Sequence, residues 1–190
     1  MVGTGPILDL GTADGALAFL FESLGYAVHA CDHAGTNINR MEGVRRMAAA
    51  LSSQVKIEDV DLDAGWGPER EYGLALFLGT LYHLKSPFAV LERLSACARY
   101  CFLSTRVAGW SLDRTVELGR VPAAYLLAPD ECNGDATNYW VFSPPGLLRL
   151  AERCGWQVRA SVRTGARDSD PASALGDERQ FLLLESSRVV

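Results

Sequence analysis

Short apolar runs alternate along the chain with segments in which apolar residues recur at helical spacing. The run Ile7–Leu10 is mostly apolar and leads into a glycine-containing turn, a pattern typical of a buried strand. In the following segment, 14–24, apolar residues recur every three or four positions up to Gly25, which predicts a helix that stops at this glycine. The chain therefore begins with a strand, a tight turn and a helix.

The same alternation continues to the end of the sequence. Strands are predicted over 7–10, 26–31, 55–60, 74–78, 100–105, 156–162 and 181–185. Helices are predicted over 14–24, 36–51, 87–98 and 145–154, with a short one near 111–118, and Ser86 and Ser143 are expected as helix caps because prolines follow them. This order predicts an α/β fold: a Rossmann-like, mostly parallel, seven-stranded sheet with helices on both faces. No helix is predicted between the last two strands, so the last strand should be antiparallel.

Composition places the chain among ordinary globular proteins. It has 190 residues, enough for one domain over 1–190, with 48% hydrophobic residues and a net charge of -5 that argues against a large nucleic-acid interface. The five cysteines form no Cys-x-x-Cys pair, so we expect buried thiols and neither a metal site nor disulfides. We find no signal peptide and no run near the roughly 20 apolar residues of a membrane span, so we expect a cytoplasmic protein without a membrane partner.

The turn after the first strand carries the clearest candidate chemistry. Its residues are Asp9, Gly11, Thr12, Ala13 and Gly15. Asp32 ends the second predicted strand, where a carboxylate can accept hydrogen bonds from both ribose hydroxyls of a nucleoside. The glycine spacing differs from the Gly-x-Gly-x-x-Gly of nicotinamide-binding proteins, which opposes an oxidoreductase.

These residues resemble the first motif of class I S-adenosylmethionine-dependent methyltransferases, with alanine at the middle glycine. The resemblance implies S-adenosylmethionine as cofactor and S-adenosylhomocysteine as product. By the resemblance, Asp32 and its neighbour His33 meet the ribose, and Asp61 and Leu62 meet the adenine, with Asp59 and Asp63 as other acids of the same cluster. The implied contacts beside the methionine portion are Leu78, Gly79 and Tyr82.

A narrower stretch, 77–88, is similar to the Gly-x-Leu-Tyr-His-x-x-x-Pro segment of the tRNA wobble-uridine carboxymethyltransferase and its relatives. Within that resemblance Leu78 and Tyr82 match cofactor-contacting positions, and Arg179 matches an arginine that engages a carboxylated cofactor. The amino-terminal extension of that enzyme has no counterpart here, which places a tRNA substrate in doubt.

Candidate acceptor-side residues follow the fourth and fifth strands. His83 is the candidate general base, since its ordinary pKa lies near 6.5; the alternative is that it only orders its loop. Arg106 is the second candidate catalytic residue, pairing with an acidic substrate group or with a nearby Asp or Glu. Asn138, Tyr139 and Trp140 are expected to wall the substrate pocket, although Trp140 could instead plug the edge of the core. The long segment 107–141 is expected to be a substrate-binding or lid insertion.

The leading hypothesis is a methyltransferase that acts on an O or N atom of a small molecule. The alternatives are an RNA-modifying (carboxy)methyltransferase and a non-catalytic cofactor-binding module. Relatives carry helices before the first strand, and the sequence has none there. We therefore expect an open cofactor site in a monomer, or a cover from 107–141 or from the second subunit of a homodimer.

Overall fold

A computed structural model describes residues 5–68, 70–172 and 177–189. The described elements, in chain order, are β1 Ile7–Leu10, α1 Ala16–Ser23, β2 Val28–Asp32, α2 Glu42–Leu51, β3 Lys56–Asp59, β4 Tyr72–Leu78, α3 Pro87–Ser95, β5 Ala98–Val107, β6 Ala124–Leu126, β7 Trp140–Phe142, α4 Pro144–Arg153, β8 Trp156–Thr164 and β9 Glu178–Ser186. Two single 3-10 turns, Leu62–Ala64 and Leu81–His83, follow β3 and β4.

Seven strands form the main sheet in the order β3-β2-β1-β4-β5-β9-β8. The first five are mutually parallel, and β9 runs antiparallel to both β5 and β8. This arrangement confirms the predicted mostly parallel sheet with an antiparallel last strand. The two short strands β6 and β7, which the sequence did not predict, form a hairpin that joins the sheet where Phe142 pairs with Val107.

Apolar side chains cover both faces of the sheet. On one face, Ile7 and Leu76 pack with Phe19 of α1 and Val44 of α2. On the other, the cluster includes Leu91 of α3 and Leu147 of α4, together with strand residues of β1, β4, β5 and β9. Each fully buried side chain of this size stabilises the fold by about 1.5–3 kcal/mol. The helices on both faces agree with the prediction.

The helix predicted over 36–51 is shorter in the structure and begins at Glu42. The side chain of Asn37 accepts hydrogen bonds from the amides of Asn39 and Met41, at 3.1 and 2.9 Å. Arg40 and Met41 have positive φ, 54° and 63°, so the chain turns here instead of continuing a helix. The Asn37 side chain thus accepts from amides that would otherwise donate to backbone carbonyls within a helix.

The prediction of a short helix near 111–118 is wrong. Trp110 instead pairs with Glu117 in an isolated antiparallel bridge. The carboxylate of Asp113 accepts from the amide and the hydroxyl of Thr115, and the Ser111 hydroxyl accepts from the Val116 amide. These short polar side chains bind nearby backbone donors and favour a turn over a helix.

The two serine caps differ in the structure. The Ser143 hydroxyl accepts from the Gly146 amide at 3.0 Å and caps α4 as predicted. The Ser86 side chain makes no such bond; the Asp63 carboxylate accepts from the amides of Lys85 and Ser86, each at 2.8 Å. A carboxylate contributed by the β3–β4 connection therefore occupies the start of α3.

Two composition-based expectations can be compared with the fold. The five cysteines are all buried and none forms a disulfide, as expected. Among the helices of the described ranges, none combines the length and the apolar character needed to cross a bilayer.

Candidate functional site

The turn between β1 and α1 is attached to β2 by its backbone. The amides of Gly11 and Thr12 both donate to the carbonyl of Cys31, at 2.9 and 3.2 Å, and the Thr12 hydroxyl donates to the Asp9 carboxylate at 2.7 Å. Burial raises the pKa of Asp9 from 3.8 to about 6, and the Thr12 hydrogen bond opposes that rise. The turn lies at the carboxyl ends of the parallel strands, where ligands bind in this class of sheet.

The glycines of this turn are required by packing within the protein. Both have positive φ, 75° at Gly11 and 83° at Gly15. A Cβ on Gly11 would collide with the Thr80 hydroxyl, and one on Gly15 would lie 2.6 Å from the Phe19 ring. The side of Gly11 that a Cβ would occupy is therefore filled by Thr80 and is closed to a ligand.

The carboxylate of Asp32, at the carboxyl end of β2, accepts hydrogen bonds from three neighbouring groups. It accepts from the amides of Ala13 and His33, each at 2.8 Å, and from the Asn37 side-chain amide at 3.0 Å. A carboxylate offers about four acceptor positions. With three in use, Asp32 has one acceptor position left and its orientation is already fixed.

The acidic cluster after β3 separates into residues with different partners. Asp59 accepts from the Ala34 amide at 2.9 Å, and Asp63 holds the start of α3 as described above. Asp61 is exposed and, among the described residues, its side chain accepts from the amide of Asp63 at 2.9 Å, while Leu62 is buried in the core. Asp59 and Asp61 are both exposed, so the side chains of both remain accessible to a ligand.

The segment after β4 leaves open space beside a glycine. Gly79 has φ 74°, and a Cβ placed there would lie 3.8 Å from the Tyr82 hydroxyl and 3.9 Å from Nη1 of Arg179. The Arg179 guanidinium lies 6.0 Å from the centre of the Tyr82 ring and 3.2 Å from the Asp177 carboxylate. Because β9 is antiparallel, its first residues lie at the same edge of the sheet as the end of β4, next to Leu78.

A chain of hydrogen bonds fixes His83. The Thr137 hydroxyl donates to the Asp135 carboxylate at 2.6 Å, and Nδ1 of His83 lies 3.0 Å from that hydroxyl and 3.2 Å from the Thr137 carbonyl. Since the hydroxyl proton goes to Asp135 and a carbonyl can only accept, Nδ1 must be the donor. The proton therefore sits on Nδ1, and Nε2 carries the lone pair.

The electrostatics of His83 suit a proton acceptor. Burial lowers its pKa below 6.5, opposed by the Thr137 hydrogen bond and by the negative charge of Asp135. Arg179 also lowers the pKa and Asp32 raises it, which places both near the imidazole. His83 is therefore neutral at pH 7, with one nitrogen able to take a proton.

The structure buries Arg106, the other candidate catalytic residue. Only 4% of its surface is exposed. Its Nη1 lies 2.9 Å from the Cys132 sulfur, and its Nε lies 3.7 Å from the Asp177 carboxylate. Of the two expected partners, a substrate group or a nearby acid, the structure shows the acid.

The loop 127–139 packs onto the residues that follow β4. The Tyr139 amide donates to the Tyr82 carbonyl at 2.9 Å, so the candidate pocket residues do adjoin the His83 segment. Trp140 packs against the core beside α3 and α4. Asn138 Oδ1 and Trp140 Nε1 are buried without a hydrogen-bond partner among the described residues.

Comparison with known proteins supplies the family. The family model described as a methyltransferase domain matches residues 3–161, and the chain belongs to this family. The family depends on S-adenosylmethionine, which confirms the predicted class I assignment and cofactor. The search of curated proteins found no match.

Solved structures share the fold at low identity. The amino-terminal domain of EvdMO1, crystallised with SAH, is 16% identical, with a TM-score of 0.67 over 97% of this chain and 75% of that one. Magnesium protoporphyrin IX methyltransferase from Synechocystis PCC 6803, with bound SAM, is 14% identical, with a TM-score of 0.60 over 96% and 70%. The [4+2]-cyclase SpnF is 12% identical, with a TM-score of 0.69 over 98% and 76%. The last of these shows that the fold alone does not fix the reaction, and the tRNA-enzyme resemblance stays a prediction.

Sequence reasoning missed Asp135 and Thr137. They are 52 and 54 positions from His83, so no local pattern connects them to it. The available signal was the Asp-x-Thr spacing, which forms a turn in which Asp135 also accepts the Thr137 amide at 2.9 Å.

Proposed function

We propose that the protein transfers a methyl group from S-adenosylmethionine to a hydroxyl oxygen, or less readily to a nitrogen, of a small-molecule acceptor. The observation that carries this proposal is the hydrogen-bonded chain Asp135, Thr137, His83, which prepares Nε2 of His83 to accept a proton. A hydroxyl acceptor needs such a base because its proton must leave as the new carbon–oxygen bond forms.

The residues at the sheet edge fit the cofactor. Bound S-adenosylmethionine supplies a methyl group activated by a sulfonium. Asp32 would accept a ribose hydroxyl through its remaining acceptor position, and exposed Asp61 would face the adenine. The open space at Gly79, beside Tyr82, would take the methionine portion, in agreement with the family resemblance.

The acceptor would lie between the His83 segment and 107–141. Within 107–141, Asp135 and Thr137 form the hydrogen bonds that hold the base His83. The Tyr139 amide of the same segment donates to the Tyr82 carbonyl. We assign it the role of substrate-binding insertion. Holding acceptor and cofactor in line contributes most of the rate in such a displacement, since the leaving group is already activated.

An RNA acceptor is the second candidate, and one observation favours it. Arg179, which matches the cofactor-contacting arginine in the resemblance to the tRNA-modifying enzyme, lies near Gly79 and Tyr82. The net charge of -5 opposes a large phosphate-binding surface.

An assay of S-adenosylhomocysteine formed from S-adenosylmethionine tests the proposal. The purified protein would be assayed with a panel of phenols, aliphatic alcohols and amines, and with bulk tRNA as a separate arm. We expect turnover with a hydroxylated small molecule, loss of it in His83→Gln, and retention in Lys85→Gln, an exposed neighbour. Turnover with tRNA alone, or full activity of His83→Gln on a hydroxyl acceptor, would overturn it.

A further inference from the structure

A nitrogen, a sulfur and an oxygen ligand meet on one face of strands β2 and β3. Nε2 of His29 lies 3.4 Å from the Cys31 sulfur and 2.7 Å from Oε2 of Glu58. The three ligand atoms all lie within 4.8 Å of one another. The side chains of these three residues take no part in the methyltransferase site described above.

The sheet geometry brings the three together. Side chains two positions apart on a strand point to the same face, which aligns His29 with Cys31. The parallel register places Glu58 of β3 directly opposite Cys31. The β3–β4 connection, as far as it is described, contains one 3-10 turn and no α-helix, so the Glu58 side chain remains 39% exposed. The cluster is therefore buried at His29 and Cys31 and open at Glu58.

A fourth residue fixes the imidazole. The hydroxyl of Tyr72 lies 2.7 Å from Nδ1 of His29, which turns Nε2 toward Cys31 and Glu58. An outer partner on the second nitrogen is the usual way in which proteins orient a metal-binding histidine.

We propose that His29, Cys31 and Glu58 form a binding site for a divalent transition-metal ion of the zinc type, with water as the fourth ligand. Bonds of about 2.0–2.3 Å at tetrahedral angles separate ligand atoms by roughly 3.3–3.7 Å. The sulfur–nitrogen distance already matches this range, and the nitrogen–oxygen distance needs to open by less than about 1 Å. As the ion binds, the Cys31 thiol releases its proton to solvent, and the proton that Nε2 of His29 donates to Glu58 is lost from Nε2 as Nδ1 takes up a proton and donates to the Tyr72 oxygen. The two anionic ligands then balance the ion's charge.

One neighbouring cation has to move for the ion to bind. Nζ of Lys56 lies 3.3 Å from Oε2 of Glu58, and the Lys56 side chain is 51% exposed, so it can turn into solvent. Lys56 and Tyr72 both line a cavity of about 690 Å³ at the amino ends of the strands, which gives an ion a route to the cluster. The softer sulfur and nitrogen ligands select zinc-type ions over magnesium or calcium.

The site adjoins the cofactor edge through the backbone. Cys31 accepts the amides of Gly11 and Thr12 through its carbonyl and immediately precedes Asp32. An ion that joins Cys31 to Glu58 would hold β2 against β3 just below Asp32 and Asp59. We infer a structural role that does not depend on the identity of the methyl acceptor.

Cobalt titration of the chelator-treated full-length protein tests the site directly. We expect binding of one Co²⁺ per chain with a sulfur-to-cobalt absorption band, which excess Zn²⁺ removes. The band should be lost in Cys31→Ser and kept in Cys97→Ser, a matched change of another buried thiol. Since Cys31→Ser could fail to fold, Glu58→Gln at the half-exposed ligand gives a second test, with affinity at least about tenfold weaker. Absence of the band in the parent protein, or an equal band and affinity in Glu58→Gln, would overturn the proposal.

Discussion

Nδ1 of His83 lies 3.0 Å from the hydroxyl of Thr137, and this contact determines which imidazole nitrogen carries the proton. The hydroxyl proton is committed to Asp135 at 2.6 Å, so the histidine must donate. Thr137 therefore holds His83, which follows β4, in the orientation of a base.

Replacement of His83 by Gln should remove the base. We expect kcat on a hydroxyl acceptor to fall about 10²- to 10⁴-fold, with little change in KM for S-adenosylmethionine. Because the pKa of His83 is lowered by burial, activity of the parent protein should be level at neutral pH and decline only below about 6.5. A pH–rate profile of both proteins measures this, and an unchanged acid limb in His83→Gln would argue against the assignment.

Thr137 should act as a positioning residue. Thr137→Val removes the hydroxyl that accepts from His83, whereas Thr137→Ser keeps it, so the serine variant is the matched control. Nitrogen-15 NMR of the imidazole should show the proton on Nδ1 in the parent and in Thr137→Ser. In Thr137→Val, where only the Thr137 carbonyl at 3.2 Å still accepts from Nδ1, the Nε2 tautomer should gain population relative to the parent. If the valine variant keeps the Nδ1 proton with unchanged activity, the hydroxyl does not set the tautomer.

The buried Asp9 should make stability depend on pH. Its pKa is raised from 3.8 to about 6 in the folded state, so between these values the folded protein holds the proton more tightly than the unfolded chain. Stability from this group is therefore present at low pH and lost as pH rises through 6, by about 3 kcal/mol at most. Asp9→Asn should be more stable relative to the parent at pH 7 than at pH 4 in urea unfolding. An equal difference at both pH values would contradict the raised pKa.

Gly11 and Gly25 have similar backbone angles but different surroundings. Their alanine variants therefore distinguish the free-energy cost of a packing clash from that of the backbone conformation. Gly11 and Gly25 both have positive φ, 75° and 89°, but a Cβ would strike Thr80 only at Gly11 and would meet nothing within 4 Å at Gly25. Gly25→Ala should cost about 1–2 kcal/mol from the left-handed backbone alone. Gly11→Ala should cost about 1–3 kcal/mol more because Thr80 must move. Urea unfolding of both variants measures the difference, and equal losses would show that the Thr80 contact is unimportant.

The sequence predicted most of the sheet because its signal is local. An apolar run such as Ile7–Leu10 indicates a buried strand without reference to distant residues. The absence of a predicted helix before the last strand indicated that β9 is antiparallel. The errors arose where a polar side chain binds its own backbone, as Asn37 does before α2 and Asp113 does before β6. Such competition depends on side-chain geometry that apolar spacing does not record.

The cofactor side was easier to predict than the acceptor side. Asp32 and Gly11 lie at strand ends that the alternation already places at one edge. His83 could be named from its position after β4, but its partner Thr137 lies 54 residues away and reaches it only through the fold of 107–141. The cluster of His29, Cys31 and Glu58 depends on strand register, which cysteine spacing along the chain does not reveal.

Calorimetric titration with S-adenosylhomocysteine tests the central claim most directly, since it requires no knowledge of the acceptor. The parent protein and the control Glu152→Gln, altered at an exposed position of α4, should bind the ligand with one site per chain. Asp32→Asn should bind it about 10- to 100-fold more weakly, the loss expected for a hydrogen bond to a charged group. NAD should not bind to any of the three proteins. Binding of NAD without binding of S-adenosylhomocysteine, or equal affinity of Asp32→Asn and the parent, would contradict the account.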